Sequence, residues 1–319
     1  MMGSRPRRAP PPWTPSARLH RLALILLATI LAAPAACGDP TYAGEDDLKA
    51  QRLLERAAAL CALPAPPLSD EAPVRVFLLA GQSNMLGHGL PGVLPEACRR
   101  PNPAAMIWDS PSRAWRPLEP GERFGPEIMI GWTLRAEHPG QRLALVKHAA
   151  GSTDLDEDWR PTTEAGQCAS GRCQWPALVE AIAQSRAALL DAGLDSLPGG
   201  IFWMQGESDA RRQGAAERYL DNLTRLIDAL RLELGQPGAP VVLGRLSARL
   251  PASAAPFNDQ IRAAQDDAAA DPLVAAVDTD DFDLEADQVH FSALGQIALG
   301  ESMARAWGRL RPAGEAPTP

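Results

Sequence analysis

The chain has 319 residues, of which 45% are apolar and 22% charged, enough for one large domain with a full core and short terminal extensions. Its formal charge of −8 understates the acidity of its body. Arg5, Arg7, Arg8, Arg18 and Arg21 all precede the first acid, Asp39, so removing that segment takes five positive charges and no negative one and leaves −13. Such a body is a poor binder of nucleic acid or an anionic membrane surface, whereas neutral and cationic substrates stay open. Tryptophan, at 8 residues, outnumbers tyrosine, at 2, and each Trp either fills the core or stacks on a sugar ring.

Behind the arginines, Leu22 to Ala36 is an unbroken apolar run with the length of a signal-peptide core, shorter than the roughly 20 residues of a membrane-spanning helix. Residues 1–36 are therefore expected to direct export. Cleavage after Ala35 would release a soluble protein, and cleavage before Cys37 would leave a lipid-bearing cysteine, the one expected route to a membrane. Ala35-Ala36-Cys37 resembles the end of a bacterial lipobox, with Pro34 where that pattern has Leu. An uncleaved anchor is the third alternative.

Five cysteines in an exported chain suggest disulfides with one left over. Cys168 and Cys173, at C-x4-C spacing in a Gly/Ser/Gln-rich loop, read most simply as one bridge. Cys61 would then pair with Cys98, with Cys37–Cys61 as the rival pairing. No second Cys/His cluster lies nearby to complete a zinc site.

Glu45 to Leu63 has helical spacing, and Ala65 to Pro73 reads as a linker, which makes 37–73 an N-terminal helix and connection. Short continuous apolar runs then predict strands at Val74 to Leu79, Leu143 to Val146, Ile201 to Met204, Val241 to Leu246 and Val274 to Val277. Helices are expected between them at Glu127 to Glu137, Pro176 to Ala192, Ala215 to Leu234, Phe257 to Ala269 and Ala293 to Leu310. This alternation implies right-handed crossovers and a three-layer α/β/α sandwich on a mostly parallel sheet, its active site at the strands' carboxyl ends. Residues 312–319 read as a flexible tail.

Four segments carry the chemistry. Gly81-Gln82-Ser83-Asn84-Met85 places a serine at the end of the first strand, as a nucleophile or as a helix cap; Met85 rules out the G-x-S-x-G elbow. Asp287-Gln288-Val289-His290 puts a carboxylate and an imidazole three residues apart before a helix, as an orienter and a general base or as a surface acid and a helix cap. Trp203 to Asp209 (WMQGESD) offers the Gln205 amide to a developing oxyanion. Its acids, Glu207 and Asp209, either brace the loop or form a glycosidase pair. Gly151, after the second main strand, lets a backbone N–H approach a ligand or simply makes a turn.

Taken in order, GQSNM, Gly151, WMQGESD and Asp287 to Phe291 (DQVHF), with Gly125-Pro126-Glu127 between them, resemble the SGNH/GDSL hydrolase superfamily. The likeness is to its sialate O-acetylesterase-like and family 6 carbohydrate esterase (acetyl xylan esterase) branch. It covers Val74 to Leu310 and implies a flavodoxin-like esterase domain over 74–311. It further implies that Ser83 attacks the acetyl carbonyl of a carbohydrate ester, that His290 takes its proton, and that Asp287 orients His290. Ser83 and Gly151 N–H groups and the Gln205 side chain would form the oxyanion hole. Gln82, Asn84, Glu207 and Asp209 would support the site or line the substrate. No metal or organic cofactor is needed, and nothing sets the oligomeric state. His88 and His148, close in sequence to Ser83 and Gly151, either line the sugar site or are structural; His20 belongs to the export signal and His138 to a helix end.

Overall fold

The computed structural model describes residues 45–310, apart from 65, 66, 69–71, 162–167 and 169. The export signal, Cys37, most of the linker and the tail lie outside the described residues. Seven strands form one sheet: β1 (Val74–Gly81), β2 (Ala105–Asp109), β3 (Ala114–Pro117), β4 (Arg142–Ala149), β5 (Ser196–Met204), β6 (Val241–Gly244) and β7 (Val274–Val277). Their order is β3-β2-β4-β1-β5-β6-β7, and every pairing is parallel except the β2–β3 hairpin. The five expected strands are all present. β2 and β3 were not expected: β2 is only five residues long, and β3 is an exposed edge strand that ends in Pro117.

The central strands are apolar along their whole length because helices cover both faces. Phe77, Leu78, Leu79, Leu145, Val146, Ile201 and Phe202 are fully buried. On one face lie α1 (Glu45–Ala62), α3 (Glu127–Glu137) and α7 (Ala293–Arg309), packed on one another. On the other lie α4 (Trp175–Asp191), α5 (Gln213–Leu234) and α6 (Asn258–Ala268), completing the expected three layers. Between β1 and the hairpin, α2 (Ser83–Leu86) is a single turn.

Most of the tryptophans are core. Trp108, Trp132, Trp159, Trp175, Trp203 and Trp307 are buried, and the Trp307 indole N–H donates to the Gly199 carbonyl at 2.8 Å. His138 caps the carboxyl end of α3, as expected, and packs edge-on against Trp307. The simpler disulfide pattern is the one present: Cys61–Cys98 ties α1 to the segment before β2, and Cys168–Cys173 closes its short loop.

The topology decides where chemistry can happen. From β1 the chain builds outward through β4 and β2 on one side and through β5, β6 and β7 on the other, so the loops leaving β1, β4 and β5 diverge beside one another. That opening at the carboxyl ends is where parallel sheets bind ligands.

Candidate active site

The first of these loops is held by close strand contact. Gly81 has φ 147°, and a side chain there would meet the Met204 carbonyl oxygen at 2.0 Å, so only glycine lets β1 turn against β5. Gln82 N–H then donates to that same carbonyl at 3.0 Å, and Ser83 emerges as the first residue of α2, 7% exposed. Farther along the chain, Glu127 accepts from Gly125 N–H at 2.9 Å and from Lys147 Nζ at 2.5 Å. Lys147 also donates to the Leu86 carbonyl, so the Gly125-Pro126-Glu127 segment supports the end of α2.

His290 arrives from the far edge of the sheet, on the loop between β7 and α7. An antiparallel bridge between Leu284 and Phe291 closes that loop, and Gln288 takes a left-handed conformation, φ 58°, at its tip. Asp287 shapes the tip with one oxygen and the imidazole with the other. Its Oδ1 accepts Val289 N–H at 2.9 Å and His290 N–H at 3.0 Å, and its Oδ2 accepts from His290 Nδ1 at 2.6 Å. Ser292 ends the loop by capping α7 through Leu294 and Gly295 N–H.

Asn84, next to the serine, fastens the two parts together. Its side-chain N–H₂ donates to the Val289 carbonyl at 3.0 Å and its Oδ1 accepts Phe291 N–H at 2.9 Å, so both neighbours of His290 are fixed. The result is a continuous chain in which Ser83 Oγ donates to His290 Nε2 at 3.0 Å and Nδ1–H donates to Asp287. Burial alone would push the Asp287 carboxyl up, but the His290 and Val289 N–H groups and the imidazole pull it down to about 2. It is ionised at any working pH.

Gly151 reaches the same place from β4. A Cβ on it would have one neighbour within 4 Å, the Ser83 Cβ at 3.8 Å. Among the described residues neither Ser83 N–H nor Gly151 N–H donates to a protein acceptor, so both donors are unengaged. The turn is braced by Thr153 Oγ1 donating to the Ala150 carbonyl at 2.7 Å and by Arg172, carried on the Cys168–Cys173 loop, donating to the Ser152 carbonyl at 3.0 Å.

Gln205 departs from the expectation that its side chain offers a third donor. It is fully buried, and its N–H₂ donates to Asp209 Oδ2 at 2.5 Å, with the Thr153 carbonyl at 3.2 Å and Gln82 Oε1 at 3.3 Å. Tyr219 O–H lies between the Gln205 amide oxygen, at 3.2 Å, and the Gln205 backbone carbonyl, at 2.9 Å. The amide is thus spent on joining the three loops. Gln82 does the same from the other side, accepting Ser208 N–H at 3.2 Å.

Glu207 and Asp209 are both buried and face inward, which places them as braces rather than as a carboxylate pair on a substrate. Asp209 accepts Leu155 N–H at 2.8 Å and Asp156 N–H at 3.1 Å, while Glu207 accepts from Asn84 Nδ2 at 2.6 Å. Burial pushes the Asp209 carboxyl up to about 7 from 3.8, against its three donors, and burial also raises Glu207. At Asp209 the folded protein therefore keeps, up to about pH 7, a proton that the unfolded chain releases at about pH 4. Its contribution to stability is complete below about pH 4 and is lost as the pH rises through about 7. The urea midpoint is expected to fall between pH 5 and pH 8; a midpoint that rises over that interval would contradict this assignment.

His148 is structural in position, its Nε2 paired with Gln174 Oε1 at 3.0 Å and its ring against Trp159. His88 is not: its ring lies beside that of His290, with centroids 4.5 Å apart.

Comparison with known proteins places the chain in a family. The family model described as carbohydrate esterase, sialic acid-specific acetylesterase, matches residues 73–309. The chain belongs to this family. It is accordingly a carboxylic ester hydrolase of the carbohydrate esterase kind. An Arabidopsis thaliana protein described as a probable carbohydrate esterase is 28% identical over 262 residues, covering 74% of this chain and 90% of that one. The X-ray structure of an Arabidopsis thaliana protein shares the fold with a TM-score of 0.60 at 23% identity, over 74% of this chain and 98% of that one. A carbohydrate acetylesterase from Xanthomonas citri does so with a TM-score of 0.56 at 21% identity, over 73% of this chain and 55% of its own.

Proposed function

We propose that this carbohydrate esterase removes O-acetyl groups from a glycan through an acyl-enzyme on Ser83. The observation that carries the reading is the Ser83–His290–Asp287 chain of hydrogen bonds, with the unengaged N–H groups of Ser83 and Gly151. Asp287 holds the tautomer in which Nδ1 carries the proton, leaving the Nε2 lone pair to take the proton of Ser83 as Oγ attacks the acetyl carbonyl. Ser83 and Gly151 N–H receive the charge that develops on the carbonyl oxygen, a role supported by their having no protein acceptor among the described residues. His290 then returns its proton to the departing sugar oxygen. Water, deprotonated by the same imidazole, releases acetate and regenerates the serine.

Gly151→Ala examines the oxyanion part of this reading. The substitution meets no backbone, and its methyl stands in the space beside Ser83, where the carbonyl has to enter. Turnover is expected to fall about 10–100-fold with the melting temperature unchanged; full activity would remove Gly151 from the site.

The experiment that tests the function is acetate release from a panel of acetylated xylan, sialic acid and peptidoglycan fragments, with p-nitrophenyl esters of increasing acyl length alongside. Release from one glycan class and a preference for acetyl support the reading. Activity that rises toward octanoyl esters would favour a broad SGNH lipase, and sugar binding without acetate release a silent binding protein. We further propose that the mature protein acts outside the cytoplasm, supported by the arginine-then-apolar N-terminus and the two disulfides. A mature N-terminus at Ala36 or at a lipid-bearing Cys37 is expected; a protein that keeps Met1 and fractionates with the cytoplasm would contradict it.

A further inference from the structure

Two hydrogen bonds hold the His290 imidazole, Nδ1 to Asp287 and Nε2 to Ser83, and both act in the plane of the ring. Rotation about Cβ–Cγ would tilt the ring out of that plane and break both, and neither bond packs against a face of the ring. A group in contact with a face opposes that tilt. Among the residues whose rings approach it, the one in contact is His88, with centroids 4.5 Å apart and the planes tilted by 43°.

The segment that carries His88 is unusually well fixed for a loop. Gly89 and Phe124 exchange N–H···O bonds of 2.9 Å in both directions, and Arg123 Nη1 donates to the His88 carbonyl at 2.9 Å. Gly87, with φ 95°, packs its Cα against Gly125 so closely that a side chain there would lie 2.2 Å from the Gly125 Cα. The ring itself makes no hydrogen bond through Nε2, which is buried, so its face is what it offers.

We infer that His88 is a positioning residue that holds the His290 imidazole in the plane linking Asp287 to Ser83. The inference rests on the triad reading above. A neutral ring suits the role, because His290 becomes a cation each time it accepts the serine proton and a second cation against its face would oppose that step. Burial lowers His88 below the ordinary histidine value, and His290 and Arg123 lower it further, while Asp287 and Glu285 act in the opposite direction.

The test compares His88→Ala, which removes the ring, with His88→Phe, which keeps a ring and removes its titration. Each is measured for kcat and KM on an acetyl ester across about pH 5–9, with a thermal melt. Ser83→Ala is run in parallel. His88→Ala is expected to lower kcat about 10-fold or more with KM within about twofold. His88→Phe is expected to restore kcat to within about threefold of the wild type. An unchanged kcat with a raised KM in His88→Ala would make His88 a substrate contact and overturn the inference. Equal losses in both variants, at an unchanged melting temperature, would overturn it as well, since the nitrogen and not the face would then matter. Should Ser83→Ala retain turnover, it is the triad that fails, whatever His88 does.

Discussion

Ser83→Ala is expected to lower kcat on p-nitrophenyl acetate by about 10⁵–10⁶-fold while leaving the fold intact. The magnitude follows from what the change deletes. The hydroxyl is the atom that becomes covalently bonded, and without it the imidazole, the carboxylate and the N–H donors can do no more than assist water. What remains is the residual rate of a polarised, well-placed ester, which in serine hydrolases is about 10³–10⁴ above water. The structural cost is small, because the Ser83 side chain makes one hydrogen bond, to His290, and losing a partly buried bond of that kind removes about 1 kcal/mol. Kinetics and thermal melting should therefore separate cleanly. A loss below about tenfold would mean that another group attacks the ester.

Asp287→Asn should come next, with a loss of about 10⁴-fold, and Asp287→Ala is expected to lose less. The order of these two is the informative part. Asp287 Oδ2 accepts the Nδ1 proton at 2.6 Å, so Nε2 is free to accept from Ser83. An asparagine turned to offer N–H to Nδ1 would fix the opposite tautomer, with a proton on Nε2 where the serine proton has to go. Alanine leaves a gap that water can fill and lets the ring choose either tautomer. Because burial is outweighed by the two backbone N–H groups and the imidazole, the Asp287 carboxyl stays ionised down to about pH 2. If alanine proves as damaging as asparagine, or more so, the tautomer argument fails and the carboxylate acts chiefly through its charge.

Local spacing made some of this legible in the sequence and topology withheld the rest. The Glu127–Glu137 helix and the Val274–Val277 strand could be read to the residue, the one from its apolar periodicity and the other from a short continuous apolar run. The β2–β3 hairpin escaped because Ala114–Pro117 is an exposed edge with a proline, and an edge strand has no apolar face to announce it. Asp287 and His290 could be paired because their contact spans three residues. The contact of His290 with Ser83 spans 207 and came only from the order of the family motifs. Gln205 shows the limit most clearly: its residue type says that an amide is available, but only the positions of Asp209, Thr153 and Tyr219 show that the amide is spent inside the protein. His88 was in view as a neighbour of Ser83 in the chain. That it touches His290 is a consequence of the Gly89–Phe124 bridge, which no pattern in the sequence signals.

The most direct measurement of the account is the covalent intermediate. The wild-type protein is mixed with an acetyl ester at saturating concentration, quenched in acid during turnover, digested and mapped by mass spectrometry. An acetyl group on the Gly81–Met85 peptide, located at Ser83 and absent when His290 is replaced by alanine, is the predicted result. Acetylation at another residue, or steady turnover with Ser83 never modified, would contradict it.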